Sequence, residues 1–262
     1  MIRSARANLI QLSAPSSLTG LGASAILALV TVMLFVGSTD DVIEERGPLG
    51  ESATLEMVAS ADGLALALAS TISLVGLVVM AVHASAVASD YSTGMIRVAA
   101  VRQPKRVPLL AGKALALAAA TVVVTLVVML TTIGAGLAFA PDQVDTGQWF
   151  TGPGIAAFAK AGGNYLVAAL GWGVIGQVLA TLFRSSVTAL AIGVLVAIPL
   201  DLVLTDTVEQ ARPWLPGQLF QAVARGGTQH LDYAPSLATV ILAGVGALAL
   251  SLAVFQLRDI TA

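Results

Sequence analysis

The chain has 262 residues, 57% of them apolar and only 11% charged, with a formal net charge of −2 and a mean hydropathy of +0.90. Soluble domains carry about 25% charged residues, so a surface this poor in charge has to face lipid rather than water. The absence of cysteine excludes disulfides, thiolate metal sites and cysteine nucleophiles, and leaves the redox compartment open.

In chain order, residues 2–12 place Ile2, Ala5, Leu9 and Leu12 at helical spacing, with Arg3, Arg6 and Gln11 elsewhere. This predicts a short amphipathic helix in the cytoplasmic interface, against the plainer alternative of a frayed basic tail. Six apolar runs follow, each long enough to cross about 30 Å of hydrocarbon at ~1.5 Å per residue. They are residues 17–37, 63–88, 114–140, 161–183, 187–205 and 236–256. A cleaved signal peptide competes for the first run, but the run is long and no A-x-A site follows it. Lone apolar strands leave backbone groups unsatisfied in lipid, so the spans must be helices. The expected fold is all-α, one transmembrane domain over residues 1–262.

The connections between spans differ in character. Residues 38–62 are acidic and turn at Gly47-Pro48, 141–160 form a second outer loop, and Arg184-Ser185-Ser186 tightly joins the fourth and fifth spans. The last outer loop, 206–235, is semi-apolar, with Trp214, Leu215, Leu219, Phe220, Ala222 and Val223 interrupted by Pro213, Pro216 and Gly226-Gly227. Such a segment predicts short interfacial or re-entrant helices, with Trp214 and Tyr233 at headgroup depth.

Lysines and arginines set the orientation. With the N-terminus inside, nine of the 13 basic residues are cytoplasmic; Arg46, Lys160, Arg212 and Arg225 are outside. Acidic residues sort the other way, with only Asp90 and Asp259 in inner segments. The pattern predicts an even number of spans, both termini cytoplasmic, in the plasma (inner) membrane.

The inner loop, residues 89–113, carries five basic residues interleaved with Met95, Ile96, Val98, Ala99 and Val101 before Pro104. A short helix with one apolar and one basic face is expected. Physics alone leaves two readings open: an anchor on anionic headgroups, or a docking helix for a cytoplasmic partner.

This loop resembles the signature region of ABC-2-type transporter permeases. The matching positions are Asp90, where Glu is commoner in that family, then Thr93 and Gly94 in the less common order, Arg97, Pro104 with Arg106, and Lys113. The amphipathic N-terminus resembles that family's elbow helix, and Phe255-Gln-Leu-Arg-Asp259 resembles its close. The resemblance implies a permease subunit of an ATP-binding cassette exporter, paired with itself or a similar chain. Two copies of a separate ATPase would dock on Asp90, Tyr91, Thr93, Gly94, Met95, Arg97, Arg102 and Arg106. ATP and Mg would be held by that partner, with no cofactor in this chain and no nucleic acid involved. An apolar cavity from the first, second and fifth spans would carry a drug, lipid or hydrophobic peptide, with Met33, Phe35, Met80, Trp172 and Asp201 as candidate residues.

The chain has no evident power source or catalytic centre of its own. The nearest approach to a phosphate-binding loop is Gly112-Lys113, with Val107 for the first Gly and Ala114 for the hydroxyl. Gly171-Trp-Gly-Val-Ile-Gly176 spells a dinucleotide fingerprint inside a span, with no strand before it; a helix face for close packing is the better account. His83 and His230 lie far apart in the chain, which precludes H-E-x-x-H, no G-x-S-x-G occurs, and Glu44-Glu45-Arg46 sits in an outer loop. An ion-coupled secondary transporter is the rival class, with His83 and Asp201 the only ionisable residues available inside the bundle. A non-transporting regulatory membrane subunit is a third class.

Overall fold

A computed structural model describes residues 15–37, 54–94 and 106–257. Its ten α-helices among those residues are α1 (Pro15–Gly37), α2 (Leu55–Ala59), α3 (Gly63–Ser70), α4 (Ile72–Ser92), α5 (Arg106–Phe139), α6 (Gly152–Phe183), α7 (Ser186–Leu195), α8 (Asp201–Thr207), α9 (Pro216–Arg225) and α10 (Tyr233–Leu257). No strand occurs among the described residues. Six helical stretches are long and apolar enough to cross a membrane: Thr19–Gly37, Ile72–Ser92, Ala111–Phe139, Gly152–Phe183, Ser186–Thr205 and Tyr233–Val254. Their outer faces are apolar, with Leu34, Leu130, Val187 and Leu242 exposed, as lipid requires and water forbids. The chain is a multi-pass membrane protein. The amphipathic segment at 2–12 and the first outer loop up to residue 53 lie outside the described residues, as does the chain end from Arg258.

Three spans depart from the sequence expectation, each for a local reason. The fourth span begins at Gly152, not 161, because Thr151 caps it by accepting from the Gly154 N–H and Pro153 occupies its first turn. Lys160 therefore lies within helix α6. The second span breaks at Thr71, whose hydroxyl donates to the Leu68 carbonyl at 2.8 Å while its N–H bonds the same oxygen at 3.2 Å. That is a tight 3₁₀-type turn between α3 and α4. The fifth span carries a π-helical turn, Val196–Leu200, around Pro199, where the missing N–H and the ring's clash with the preceding turn widen the helix.

Helix α6 is the bundle's central post, packing on α4, α9, α10, α3, α7 and α5. Its closest neighbour is α4, because Gly176 removes the side chain between them: a Cβ there would lie 2.2 Å from the Met80 carbonyl oxygen. Gly171 and Gly173 in the same stretch face the rings of Phe220 and His83. Hydroxyls inside the helices bond back to their own backbone, as Ser24 does to Gly20, Thr121 to Leu117 and Thr181 to Gln177. This satisfies them where lipid offers no partner.

Candidate functional site

The up-and-down course of the spans brings the start of α1, the end of α4, the start of α5 and the α6–α7 turn to one end of the bundle. A cavity of about 1050 Å³ opens among them. Helix α4 supplies its main wall through Leu74, Leu77, Val78, Ala81, Ser85, Ser89 and Ser92, which recur at the three- and four-residue spacing of one helix face. The face grades along its length from leucine and valine to serine. Thr19, Gly20, Ala23 and Leu27 of α1 form the opposite wall. Lys113, Ala116 and Leu117 of α5, with Arg184, Ser185 and Ser186 of the turn, complete the site.

Two cations mark the polar end of the cavity. Lys113 is buried and donates to Asp90 at 2.5 Å, with side-chain exposures of 8% and 17%. This pair ties the end of α4 to the first turns of α5 and neutralises both charges. Arg184 closes the end of α6 with φ 52° and ψ 22°, a left-handed conformation normally left to Gly or Asn. Its guanidinium lies 5.8 Å from the centre of the Tyr91 ring, within cation–π range. No carboxylate pairs with Arg184 among the described residues. Ser185 caps α7 by accepting from the Thr188 N–H at 3.3 Å.

Of the eight residues singled out for partner docking, Asp90 and Tyr91 sit at this rim, and Thr93 with Gly94 ends α4 just beyond it. Gly94 takes a positive φ of 68°, and nothing lies within 4 Å of where a Cβ would stand, so the chain turns there without obstruction. Arg106 opens α5. Met95, Arg97 and Arg102 lie outside the described residues.

The five residues singled out for a substrate cavity lie elsewhere. Met33 points outward and is 46% exposed, while Phe35 is buried among α1, α3 and α5 contacts beside Trp149. Met80 and Trp172 are buried in the largest core cluster. Trp172 lies over Gly76, where a Cβ would fall 2.1 Å from its Cδ1, and meets Phe220 of α9 edge-to-face at 5.0 Å. None of the five lines the cavity. Sequence reasoning missed the serine-graded face of α4 because apolar and small polar residues are spread around the helix, leaving no amphipathic periodicity to orient it.

Asp201 lies away from the cavity and packs against α9. Its carboxylate faces the first turn of α9, accepting from Gln218 Nε2 at 3.2 Å and from the Thr205 hydroxyl at 3.2 Å. Its other oxygen abuts Gly217, where no Cβ would fit. A carboxylate at a helix N-terminus is favoured by the unpaired N–H groups there, so Asp201 fixes α9 in place. His83 is likewise engaged, its Nε2 3.0 Å from the Thr121 hydroxyl. No group of three His, Asp or Glu side chains comes together as a metal site among the described residues.

The two ends of the bundle thus have different contents. One holds a cavity with a charged rim, and the other is filled by Trp149, whose indole N–H donates to the Val58 carbonyl at 2.8 Å, and by α9 wedged against Trp172. No curated protein matches the chain. A family model described as a protein of unknown function, DUF2705, matches residues 49–261, which takes in every helix from α2 to α10, and the chain belongs to that family.

Proposed function

We propose that this chain is the membrane-spanning permease subunit of an ATP-driven exporter, moving an amphipathic substrate while a separate subunit binds and hydrolyses ATP. The observation that carries the reading is the Asp90–Lys113 ion pair at 2.5 Å. It ties the end of α4 to the first turns of α5 at the rim of the cavity, on either side of the inner loop. Helices α4 and α5, pinned to each other in this way, would move together, which is what transmitting a partner's displacement requires. The basic residues of that segment, Arg97, Arg102, Lys105 and Arg106, would meet the partner, and the cavity beside it would be the substrate path. Orientation with the loop in the cytoplasm follows from the distribution of basic residues. The subunit acts as a pair with itself or a similar chain.

The test is purification from its native membrane in mild detergent, followed by assay of ATP hydrolysis. A separate ATP-binding chain should accompany it in equal amount. Arg97→Ala should weaken that association at least tenfold, about 1.4 kcal/mol, while the spans still insert. A monodisperse preparation with no ATPase would overturn the reading. Transport driven by a proton gradient in vesicles lacking ATP would replace it with secondary transport.

A further inference from the structure

We infer that the cavity takes a glycerophospholipid, with its phosphate against Arg184 and its acyl chains along α4 towards Leu74. The inference names the substrate class of the cavity just described and rests on that cavity being the transport path. Three features carry it.

Volume and shape come first. About 1050 Å³ is at or beyond the upper end for drug-sized ligands, whose pockets run to roughly 1,000 Å³. The apolar part of the α4 wall, from Leu74 to Val82, is about 12 Å long at ~1.5 Å per residue. That is close to the ~15 Å of one leaflet's hydrocarbon. The hydroxyls of Ser85, Ser89 and Ser92 then follow at the end where a headgroup would sit.

Charge is the second feature. Lys113 is neutralised by Asp90, whereas Arg184 lines the cavity with no carboxylate partner among the described residues. Its planar fork of donors suits phosphate oxygens better than an ammonium would. Tyr91 faces the guanidinium at 5.8 Å from its ring centre, and Arg184 lines the cavity.

The third feature is backbone strain. Arg184 occupies a left-handed position that Gly would fill more readily. Non-glycine residues persist in such positions only where the surrounding structure over-determines them, and they cluster at ligand sites.

The experiment measures lipid retention by native mass spectrometry of the purified chain in an uncharged detergent. Four probes are offered: phosphatidylglycerol, phosphatidylcholine, diacylglycerol and glycerol phosphate. The two phospholipids should be retained, while diacylglycerol, lacking phosphate, and glycerol phosphate, lacking chains, should not. Arg184→Gly relieves the strained backbone, so it should fold at least as well as the parent and bind both phospholipids at least tenfold more weakly. Ala81→Phe leaves the charge intact but fills the apolar part, and should lose the same lipids. Equal retention of diacylglycerol and phosphatidylglycerol would overturn the inference, as would Arg184→Gly binding unchanged. Glycerol phosphate binding as tightly as the phospholipids would assign the site to free phosphate instead and overturn it too. Lipid retention is read without ATP or a partner, so its outcome is distinguishable from failure to recover an ATPase.

Discussion

The two ends of this bundle are built by opposite means. At the end holding Val58, Trp149 and α9, large aromatic rings fill the space and are pinned by hydrogen bonds: Trp149 to the Val58 carbonyl, Tyr165 to Thr71 at 2.9 Å, and Tyr233 to Asn164 at 2.8 Å. At the other, the helices leave a cavity whose wall grades from leucine and valine to serine, with one ion pair, Lys113–Asp90, at its rim. Lipid provides no hydrophobic drive for helix association, so packing and polar bonds decide which end stays shut. The difference is a cavity at one end of the bundle and a filled interior at the other; under the permease reading proposed above, that is one state of an alternating-access cycle.

The plug and the α4–α6 contact are the places where this contrast breaks most severely. Gly176→Leu would drive a side chain into the Met80 carbonyl, 2.2 Å from the new Cβ, and no folded chain should be recovered from detergent by size exclusion. Gly134→Leu is the control: nothing lies within 4 Å of that position, and stability should change by no more than about 0.5 kcal/mol. Next in size, Trp172→Ala should cost about 3–5 kcal/mol in reversible unfolding. Phe220→Ala should cost less than its share when added to it, since the rings touch and contacting residues are not additive.

Smaller effects sharpen the contrast rather than break it. Asp90→Asn leaves Lys113 without its partner and should cost about 2 kcal/mol, between the values for exposed and fully buried pairs. Under the permease reading the same variant should loosen the 89–113 segment and lower substrate-coupled ATP hydrolysis, whereas an effect on stability alone would return the pair to a purely structural role. Tyr165→Phe removes one inter-helix hydrogen bond in the plugged half and should cost only about 0.6 kcal/mol, the average for such bonds within membranes.

Much of this architecture is legible in the sequence, because a 20-residue apolar run has few ways to satisfy its backbone in lipid. The number of spans and the tight turn at Arg184 follow from that. What the runs do not encode is rotation: Met33 and Phe35 are two residues apart on one apolar helix, yet one faces outward and the other is buried. The cavity is therefore not readable from the chain, since its wall on α4 is defined only by the packing of α1 and α5 around it. The start of α6 is readable in principle, since Thr151 followed by Gly-Pro is a helix-opening signal, but Lys160 and the glycines Gly152, Gly154, Gly162 and Gly163 make that stretch resemble a loop. The amphipathic character of α9 is visible; its depth is not, because that depends on Asp201 meeting its first turn from a different helix.

The chain has no cysteine, which makes single-cysteine labelling the most direct test of the open-and-plugged account. Ser89→Cys places a thiol in the cavity wall, to be probed with a membrane-impermeant maleimide in inside-out vesicles from the native host. The account predicts labelling from the cytoplasmic side in the absence of nucleotide, and its loss when ATP and vanadate hold the partner subunits closed. Labelling that is indifferent to nucleotide, or that occurs only from the opposite side of the membrane, would contradict it.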